Sequence, residues 1–170
     1  MRAGNRIGVA CLFGVIALCQ MIGCDFEAPQ KSYQEYLARG ILLYTRGDVE
    51  GAIENFVKAA ALNPNSADVY FHWGNAVGTR MPDDAVDKYR KALELNPRFG
   101  LVYLQWGNLL KYQGKLDEAI DKYRKLSELS PKSYVAYKFW GDVLKQQGKS
   151  KEAEKMFRKA SEVDPTIHRR

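Results

Sequence analysis

The chain has 170 residues, and its content of 46% hydrophobic and 27% charged residues fits one ordinary globular unit. The formal net charge is +6, but Arg2 and Arg6 lie in a segment expected to be cleaved or membrane-embedded; without them, 24 of the 26 Lys and Arg residues stand against 20 acidic residues, a charge of +4. This mild excess does not by itself indicate nucleic-acid binding. All three cysteines lie within the first 24 residues, so the rest of the chain has no thiols for a disulfide framework or a zinc site.

The N-terminus has the layout of an export signal. Met1 to Arg6 carry two arginines and no acid, and an apolar run of roughly 16 residues follows from Ile7 to Ile22. Because a membrane-spanning helix needs about 20 such residues, a permanent transmembrane helix is the weaker interpretation. We therefore predict a signal peptide over residues 1–23.

The signal ends in Met21-Ile22-Gly23-Cys24, which resembles a bacterial lipobox. A thiolate is nucleophilic enough to accept a diacylglycerol group, and the small Gly23 allows close approach of a peptidase. The resemblance implies lipidation of Cys24, with residues 24–32 forming the lipidated N-terminus and a short linker. An uncleaved anchor and plain secretion stay open as alternatives. All three place the rest of the chain outside the cytoplasm, lipid-anchored and facing the periplasm in the first case, with the choice of inner or outer membrane undecided.

From Tyr33 onward the sequence repeats itself with a period of 33 or 34 residues. Six sets of equivalent positions, here called columns, recur in register. Three of them are Gly40, Gly74, Gly107 and Gly141; Ala52, Ala85, Ala119 and Ala153; and Pro64, Pro97, Pro131 and Pro165. The aromatic columns are Tyr36, Tyr70, Tyr103 and Tyr137; Trp73, Trp106 and Trp140; and Phe56, Tyr89, Tyr123 and Phe157.

This pattern is similar to the tetratricopeptide repeat (TPR) family, whose unit carries an aromatic residue, a Trp-Gly or Leu-Gly pair, an alanine, a second aromatic residue and a closing proline. Each unit also shows two stretches of apolar residues at helical spacing, separated by a glycine as in Gln113-Gly114-Lys115 and ended by a proline. The resemblance implies an all-α fold, a right-handed α-solenoid of four repeats and eight antiparallel helices. The predicted repeats are residues 33–66, 67–99, 100–133 and 134–167.

Three departures from the pattern carry predictions. Arg39 replaces tryptophan in the first repeat, as suits an end repeat with no predecessor to cover it. The second repeat is one residue short and lacks the usual turn glycine, so its first helix is predicted to end near Gly78 and the next to start at Pro82. Only three residues follow the fourth repeat, so the usual polar capping helix is not expected and an apolar face is predicted to be partly exposed. That face comprises Ala153, Met156, Phe157 and Ala160.

In the TPR family the first helices of the repeats line a groove that holds an extended peptide or a partner helix. Asn75 and Asn108 lie one repeat apart, and their amides offer both a donor and an acceptor to a peptide backbone. Leu37 and Ile41 stand where a dicarboxylate clamp would need Lys and Asn, so a C-terminal carboxylate ligand is not favoured. The predicted groove residues are Leu37, Ile41 and Tyr44; Phe71, Asn75 and Gly78; Leu104, Asn108 and Lys111; and Lys138, Asp142 and Lys145.

Basic pairs that follow an aromatic residue, such as Arg90-Lys91, could form a nucleic-acid-binding stripe. A glutamate lies four residues after each arginine, so we expect the charges to pair along the helix and form a solvated face. No nucleic-acid partner is predicted. The arginine–glutamate pairs expected on this basis are Arg90 with Glu94, Arg124 with Glu128, and Arg158 with Glu162.

The sequence offers no catalytic constellation. The two histidines, His72 and His168, have no serine or cysteine nucleophile nearby, and there is no glycine-rich phosphate loop. Asp83, Asp84 and Asp87 gather at a helix start, where they favour the helix dipole, so they are interpreted as capping residues and not as a metal site. We predict no enzyme activity, no cofactor and no metal.

Together these observations predict a membrane-tethered scaffold or adaptor that binds a segment of another envelope protein, in the manner of TPR lipoproteins that resemble pilus-assembly, secretion or outer-membrane assembly factors. Because the linker from Asp25 to Lys31 reaches only about 25 Å, the partner must lie near the bilayer. The alternative is a structural homo-oligomer that self-associates through the uncapped fourth repeat.

Overall fold

The computed structural model describes residues 32–164, and these residues form eight α-helices and no strand. The predicted signal peptide, Cys24 and His168 therefore lie outside the described residues. No helix within 32–164 combines the length and apolar character needed to cross a membrane. The helices are α1 (Tyr33–Thr45), α2 (Val49–Leu62), α3 (Ala67–Val77), α4 (Pro82–Leu95), α5 (Gly100–Tyr112), α6 (Leu116–Leu129), α7 (Tyr134–Gln146) and α8 (Ser150–Val163).

Each repeat is a helical hairpin, with α1, α3, α5 and α7 as first helices and α2, α4, α6 and α8 as second helices. In three repeats the turn contains a glycine with positive φ, at Gly47 (85°), Gly114 (75°) and Gly148 (77°). This is the left-handed conformation that ends a helix without a steric penalty for glycine. The all-α solenoid of four repeats expected from the sequence is confirmed.

The second repeat turns differently, as its sequence predicts. Its first helix α3 has 11 residues and ends at Val77, whereas α1, α5 and α7 have 13 residues each. Gly78 keeps a right-handed φ of −57°, and Pro82 occupies the first position of α4. Proline is suited to that position because its missing N–H would be unpaired there in any case.

The two helices of a hairpin come together where a glycine of the first helix faces an aromatic ring of the second. A Cβ atom at Gly107 would lie 2.6 Å from Cε1 of Tyr123, closer than real Cβ contacts allow. The glycine column thus leaves the space that the aromatic column fills. The same close approach occurs between Gly40 and Phe56, Gly74 and Tyr89, and Gly141 and Phe157.

Successive repeats are joined through tryptophan and isoleucine side chains. Trp106 packs against the buried cluster that contains Val102 and also against the one that contains Tyr123, so it connects the second and third repeats. Ile120 likewise packs against the clusters of both the third and the fourth repeats. The ammonium group of Lys122 lies 4.0 Å from the centre of a Trp106 ring, which adds a cation–π contact.

The expected partial exposure of the apolar residues of α8 is wrong for three of the four residues. Ala153, Met156 and Ala160 are 2%, 7% and 5% exposed, and Ala153 and Met156 pack with Leu144 of α7. Phe157 is partly buried in contact with Gly141, so it too faces its own hairpin. The fourth hairpin, together with Ile120 of the third repeat, therefore covers most of these apolar residues.

In the second and third repeats the arginines pair with acids other than the predicted glutamates, and within residues 32–164 Arg158 and Glu162 form no ion pair. Arg90 lies 2.8 Å from Asp87, three residues before it, and Arg124 pairs in the same way with Asp121. Glu94 and Glu128 pair instead with the neighbouring lysines, Lys91 at 3.1 Å and Lys125 at 2.7 Å. On a helix, positions three residues before and after a side chain are close neighbours. Each of these two arginines therefore pairs with the aspartate three residues before it, and the face keeps its mixed charge.

Candidate functional site

A cavity of about 360 Å³ opens on the surface formed by the first helices of repeats one to three. We call this surface the groove. The cavity is lined by Tyr44 of α1; Asn75, Gly78 and Thr79 from α3 and the turn after it; Tyr89 of α4; and Gln105, Asn108, Leu109 and Tyr112 of α5.

Two tyrosines of the second helices hold the two asparagines in place. The hydroxyl of Tyr89 donates a hydrogen bond to Oδ1 of Asn75 at 2.8 Å, and that of Tyr123 donates to Oδ1 of Asn108 at 2.9 Å. Burial raises the pKa of both hydroxyls well above the usual 10.0, with smaller contributions from Tyr44 beside Tyr89 and from the Asp142 charge beside Tyr123. Both tyrosines therefore stay protonated donors at physiological pH.

These bonds decide which part of each asparagine is offered to a ligand. The amide oxygens are occupied, so the NH₂ groups are left as donors. Within residues 32–164, the Nδ2 atom of Asn75 has no hydrogen-bond partner, and that of Asn108 makes only a long contact of 3.4 Å to Oε1 of Gln105. Both asparagines are partly exposed. The cavity thus presents two oriented donors that suit carbonyl oxygens.

Aromatic side chains form the rim of the cavity. The side chain of Tyr112 is 84% exposed and that of Tyr44 is 36% exposed. Large exposed aromatic residues beside a polar cavity are typical of protein-binding surfaces, since they supply contact area at a low cost in side-chain entropy.

A charged patch continues the groove onto α7. The Nζ atom of Lys138 lies 3.5 Å from a carboxylate oxygen of Asp142. The ammonium groups of Lys111 and Lys138 lie 5.9 Å and 5.1 Å from the centre of the Phe139 ring. That ring stacks on Tyr123 with 5.8 Å between centres and 21° between planes. The patch is therefore connected to Asn108 through Tyr123.

The structure divides the predicted groove residues into three groups. Tyr44, Asn75, Gly78 and Asn108 line the cavity, and Lys111, Lys138 and Asp142 form the charged patch, with the exposed Lys145 following on the same helix. The apolar residues serve packing instead. Leu37 and Ile41 pack against the cluster containing Phe56, and Leu104 against the one containing Tyr123.

Phe71 requires a correction, because it was expected to contact a ligand. It is only 7% exposed, and its ring packs against Phe99 with 5.1 Å between centres. Phe99 lies in the connection between α4 and α5, and this long-range contact draws Phe71 into the core. Its side chain is not available to a groove ligand.

Sequence reasoning missed five lining residues, namely Thr79, Tyr89, Gln105, Leu109 and Tyr112. A signal for Tyr89 was present, because the hydroxyl occurs in the aromatic column only where the groove column carries asparagine. Tyr89 accompanies Asn75 and Tyr123 accompanies Asn108, whereas the other two repeats combine Phe56 with Ile41 and Phe157 with Asp142.

His72 lies among aromatic rings. Its ring stacks on Phe56 and meets Phe71 edge-on, and burial lowers its pKa. Within the described helices and turns, no group of three or more His, Cys, Asp or Glu side chains is arranged to hold a metal ion.

Two family models match this chain: one described as TPR repeat over residues 40–79 and one described as tetratricopeptide repeat over residues 104–166. The protein therefore belongs to the tetratricopeptide repeat family. Its fold is that of a scaffold for protein–protein interactions, and no catalytic family is indicated.

Solved structures support the same assignment. A crystal structure of MamA protein is 28% identical over 81% of this chain and 75% of that chain, with a TM-score of 0.72. A second MamA structure is 25% identical and covers 100% of this chain and 99% of that one, with a TM-score of 0.73. PilF from Pseudomonas aeruginosa is 28% identical over 79% of this chain and 62% of its own, with a TM-score of 0.70. No curated protein matches the chain.

Proposed function

We propose that the protein is a membrane-tethered adaptor that binds an extended segment of another envelope protein in the groove. The observation that carries this proposal is the pair of oriented amides, Asn75 and Asn108, in a cavity shared by three first helices. Fixed donors cost little reorganisation on binding, which favours affinity.

Asn75 and Asn108 line one cavity from adjacent first helices, so a single extended segment can contact both amides. Neighbouring packed helices lie about 10 Å apart, and an extended peptide rises about 3.3 Å per residue. Because carbonyl oxygens on one edge of an extended backbone recur every second residue, the two amides are expected to bind carbonyl oxygens two or four residues apart. The cavity between them has room for one side chain of the bound segment, and the exposed ring of Tyr112 can cover it.

The groove is tested by in-cell crosslinking of the native chain and the double variant Asn75→Ala, Asn108→Ala, followed by purification of the crosslinked species. We expect the native chain to capture a partner that the variant loses, at equal abundance and in the same membrane fraction. A matched control is Asn63→Ala, Asn96→Ala, because these asparagines cap α2 and α4 through local bonds to Asn65 and Arg98. Capture of the same proteins by all three chains would refute the groove as the binding surface.

The membrane tether is proposed from the sequence Met21-Ile22-Gly23-Cys24. Metabolic labelling with an alkyne fatty acid should label the native chain and not Cys24→Ala, and the variant should keep its uncleaved N-terminus. Label on the variant would disprove lipidation at this cysteine. An unlabelled native chain that still sediments with membranes would instead favour an uncleaved anchor.

A further inference from the structure

We infer that the fourth-repeat end of the groove recognises acidic side chains, so that the bound segment is an extended peptide with a carboxylate-rich stretch next to the part held by Asn75 and Asn108. This inference rests on the proposed function and names the chemistry of its partner.

The charges of the groove are concentrated at one end. In the column of Leu37, Phe71 and Leu104, the fourth repeat carries Lys138. In the column of Tyr44 and Gly78, the third and fourth repeats carry Lys111 and Lys145. The first-repeat side of the groove therefore lacks the cations that the fourth-repeat side has.

These lysines are only partly neutralised. Asp142 is the acid of the same patch, and it contacts Lys138 at 3.5 Å. Within residues 32–164, neither Lys111 nor Lys145 has an ion-pair partner. Three ammonium groups and one carboxylate leave a local charge of +2 on a surface that a ligand can reach. Such a surface attracts carboxylates and repels a basic segment.

The patch is continuous with the asparagine site. Asn108 is bonded to Tyr123, Tyr123 stacks on Phe139, and the ammonium groups of Lys111 and Lys138 lie beside that ring. A segment held at Asn108 therefore passes directly onto the lysines. Lys111 belongs to α5, as Asn108 does, so no hinge separates the two parts of the surface.

The same column pattern predicts the orientation of the ligand relative to the array. The apolar or aromatic part of the segment lies toward Tyr44 and Tyr112, and its acidic part lies toward α7. The phosphate backbone of a nucleic acid is a poorer fit, because Asp142 stands between Lys138 and Lys145 on the same helix face.

The experiment uses the full chain, solubilised in detergent and immobilised, with a phage-displayed library of random 12-residue peptides as the probe. Peptides enriched on the native chain are sequenced, and their affinities are then measured for the native chain and for K111E/K138E/K145E. The matched control is K58E/K151E/K155E, which changes the net charge equally at exposed lysines of α2 and α8. Circular dichroism verifies the folding of each variant.

We expect enriched peptides to contain at least about twice the library frequency of Asp and Glu, clustered on one side of an apolar residue. We expect the charge-reversed variant K111E/K138E/K145E to bind these peptides about tenfold more weakly and the control variant to bind them as the native chain does. The affinity of the native chain should fall as the salt concentration is raised. If the reversed chain fails to fold, the neutral K111Q/K138Q/K145Q replaces it, with an expected loss of about threefold.

Peptides without an acidic excess, or equal affinity for the native chain and K111E/K138E/K145E, would overturn the inference. If such peptides still lose binding to Asn75→Ala, Asn108→Ala, the acidic preference fails while the groove function stands. If the native chain enriches no peptide, both the inference and the proposed peptide groove are contradicted.

Discussion

Equivalent positions of the repeats carry apolar residues where the second and third repeats meet and polar residues on the outward sides of the first and fourth repeats. Val102 is fully buried between repeats, whereas the same column holds the exposed Glu35 in the first repeat. Trp106 and Arg39 share a second column. On the second helices, the position of Ile53 and Ile120 is occupied in the fourth repeat by Glu154, which is exposed.

The difference shows how one helical hairpin serves as both an interior and an end unit. Repeats stack in a solenoid because each repeat buries the apolar side of its neighbour. Polar residues at those positions leave no apolar side on which a further repeat could pack. The described array carries such residues on both end sides. Within residues 32–164, most apolar side chains of α8 are covered, and this favours the proposed groove over self-association through the fourth repeat.

The largest expected effect concerns the tryptophan column. Trp106→Ala should lower the free energy of unfolding by about 4 kcal/mol, because it leaves a cavity between two clusters and removes the ring beneath Lys122. Arg39→Ala, at the equivalent end position, should change it by less than about 0.5 kcal/mol. Urea denaturation followed by circular dichroism measures both. Similar losses in the two variants would contradict the distinction between interior and end repeats.

The second-largest effect on stability is expected when the residues of an interior and an end position in one column are exchanged. Ile120→Glu places a charge between two repeats and should destabilise the chain by about 3 kcal/mol. Glu154→Ile should leave the unfolding free energy nearly unchanged but expose an apolar contact on α8. Light scattering over a range of concentrations should then detect self-association of Glu154→Ile and not of the native chain. Concentration-dependent association of the native chain would revive the structural alternative.

A smaller effect is expected when the middle repeats are given the phenylalanine of the end repeats. Tyr123→Phe should cost about 1 kcal/mol, because the amide oxygen of Asn108 loses its hydrogen-bond donor. It should also weaken groove binding, because that amide is no longer held in one orientation. Thermal denaturation and peptide affinity test the two parts. Unchanged values for both would show that the tyrosine does not position Asn108.

The same tyrosines predict a loss of stability in alkaline solution. Burial raises the pKa of Tyr89 and Tyr123 above the ordinary 10.0, so above about pH 10 the unfolded chain releases these protons while the folded chain retains them. The stabilisation that the two protonated tyrosines contribute is complete below about pH 10 and is lost as the pH rises further. The double variant Tyr89→Phe, Tyr123→Phe should show a shallower alkaline decline in melting temperature. An identical decline would assign it to other groups.

The smallest expected effect lies at His72, on the acidic side. Because burial lowers its pKa below the ordinary 6.5, the unfolded chain takes up the proton first, and stability falls as the pH drops through this value. His72→Gln, which introduces the residue of the same column in the third repeat, should reduce the fall between about pH 7 and pH 5. Melting temperatures of the two chains over this range provide the measurement.

The sequence allows prediction of the hairpins because their signals are local. Within one repeat, Gly114 permits the positive φ that ends a helix, Pro82 fixes φ at a helix start, and Gly107 leaves space for the opposite aromatic ring. Side chains that depend on a neighbouring element were less predictable. Phe71 is buried by Phe99 from the next connection, and the three missed cavity residues of α5 join the site only because α3 and α5 lie side by side.

The central claim, that the groove and not the outer surface binds the partner, is tested most directly by a photo-crosslinking amino acid placed at single positions in living cells. Tyr44 and Tyr112 mark the groove, and Val57 and Leu62, which are 45% and 48% exposed on α2, mark the outer surface. We predict that the two groove positions crosslink to the same partner protein and that the two α2 positions do not. Crosslinking of that partner from Val57 and Leu62, with none from Tyr44 or Tyr112, would contradict the account.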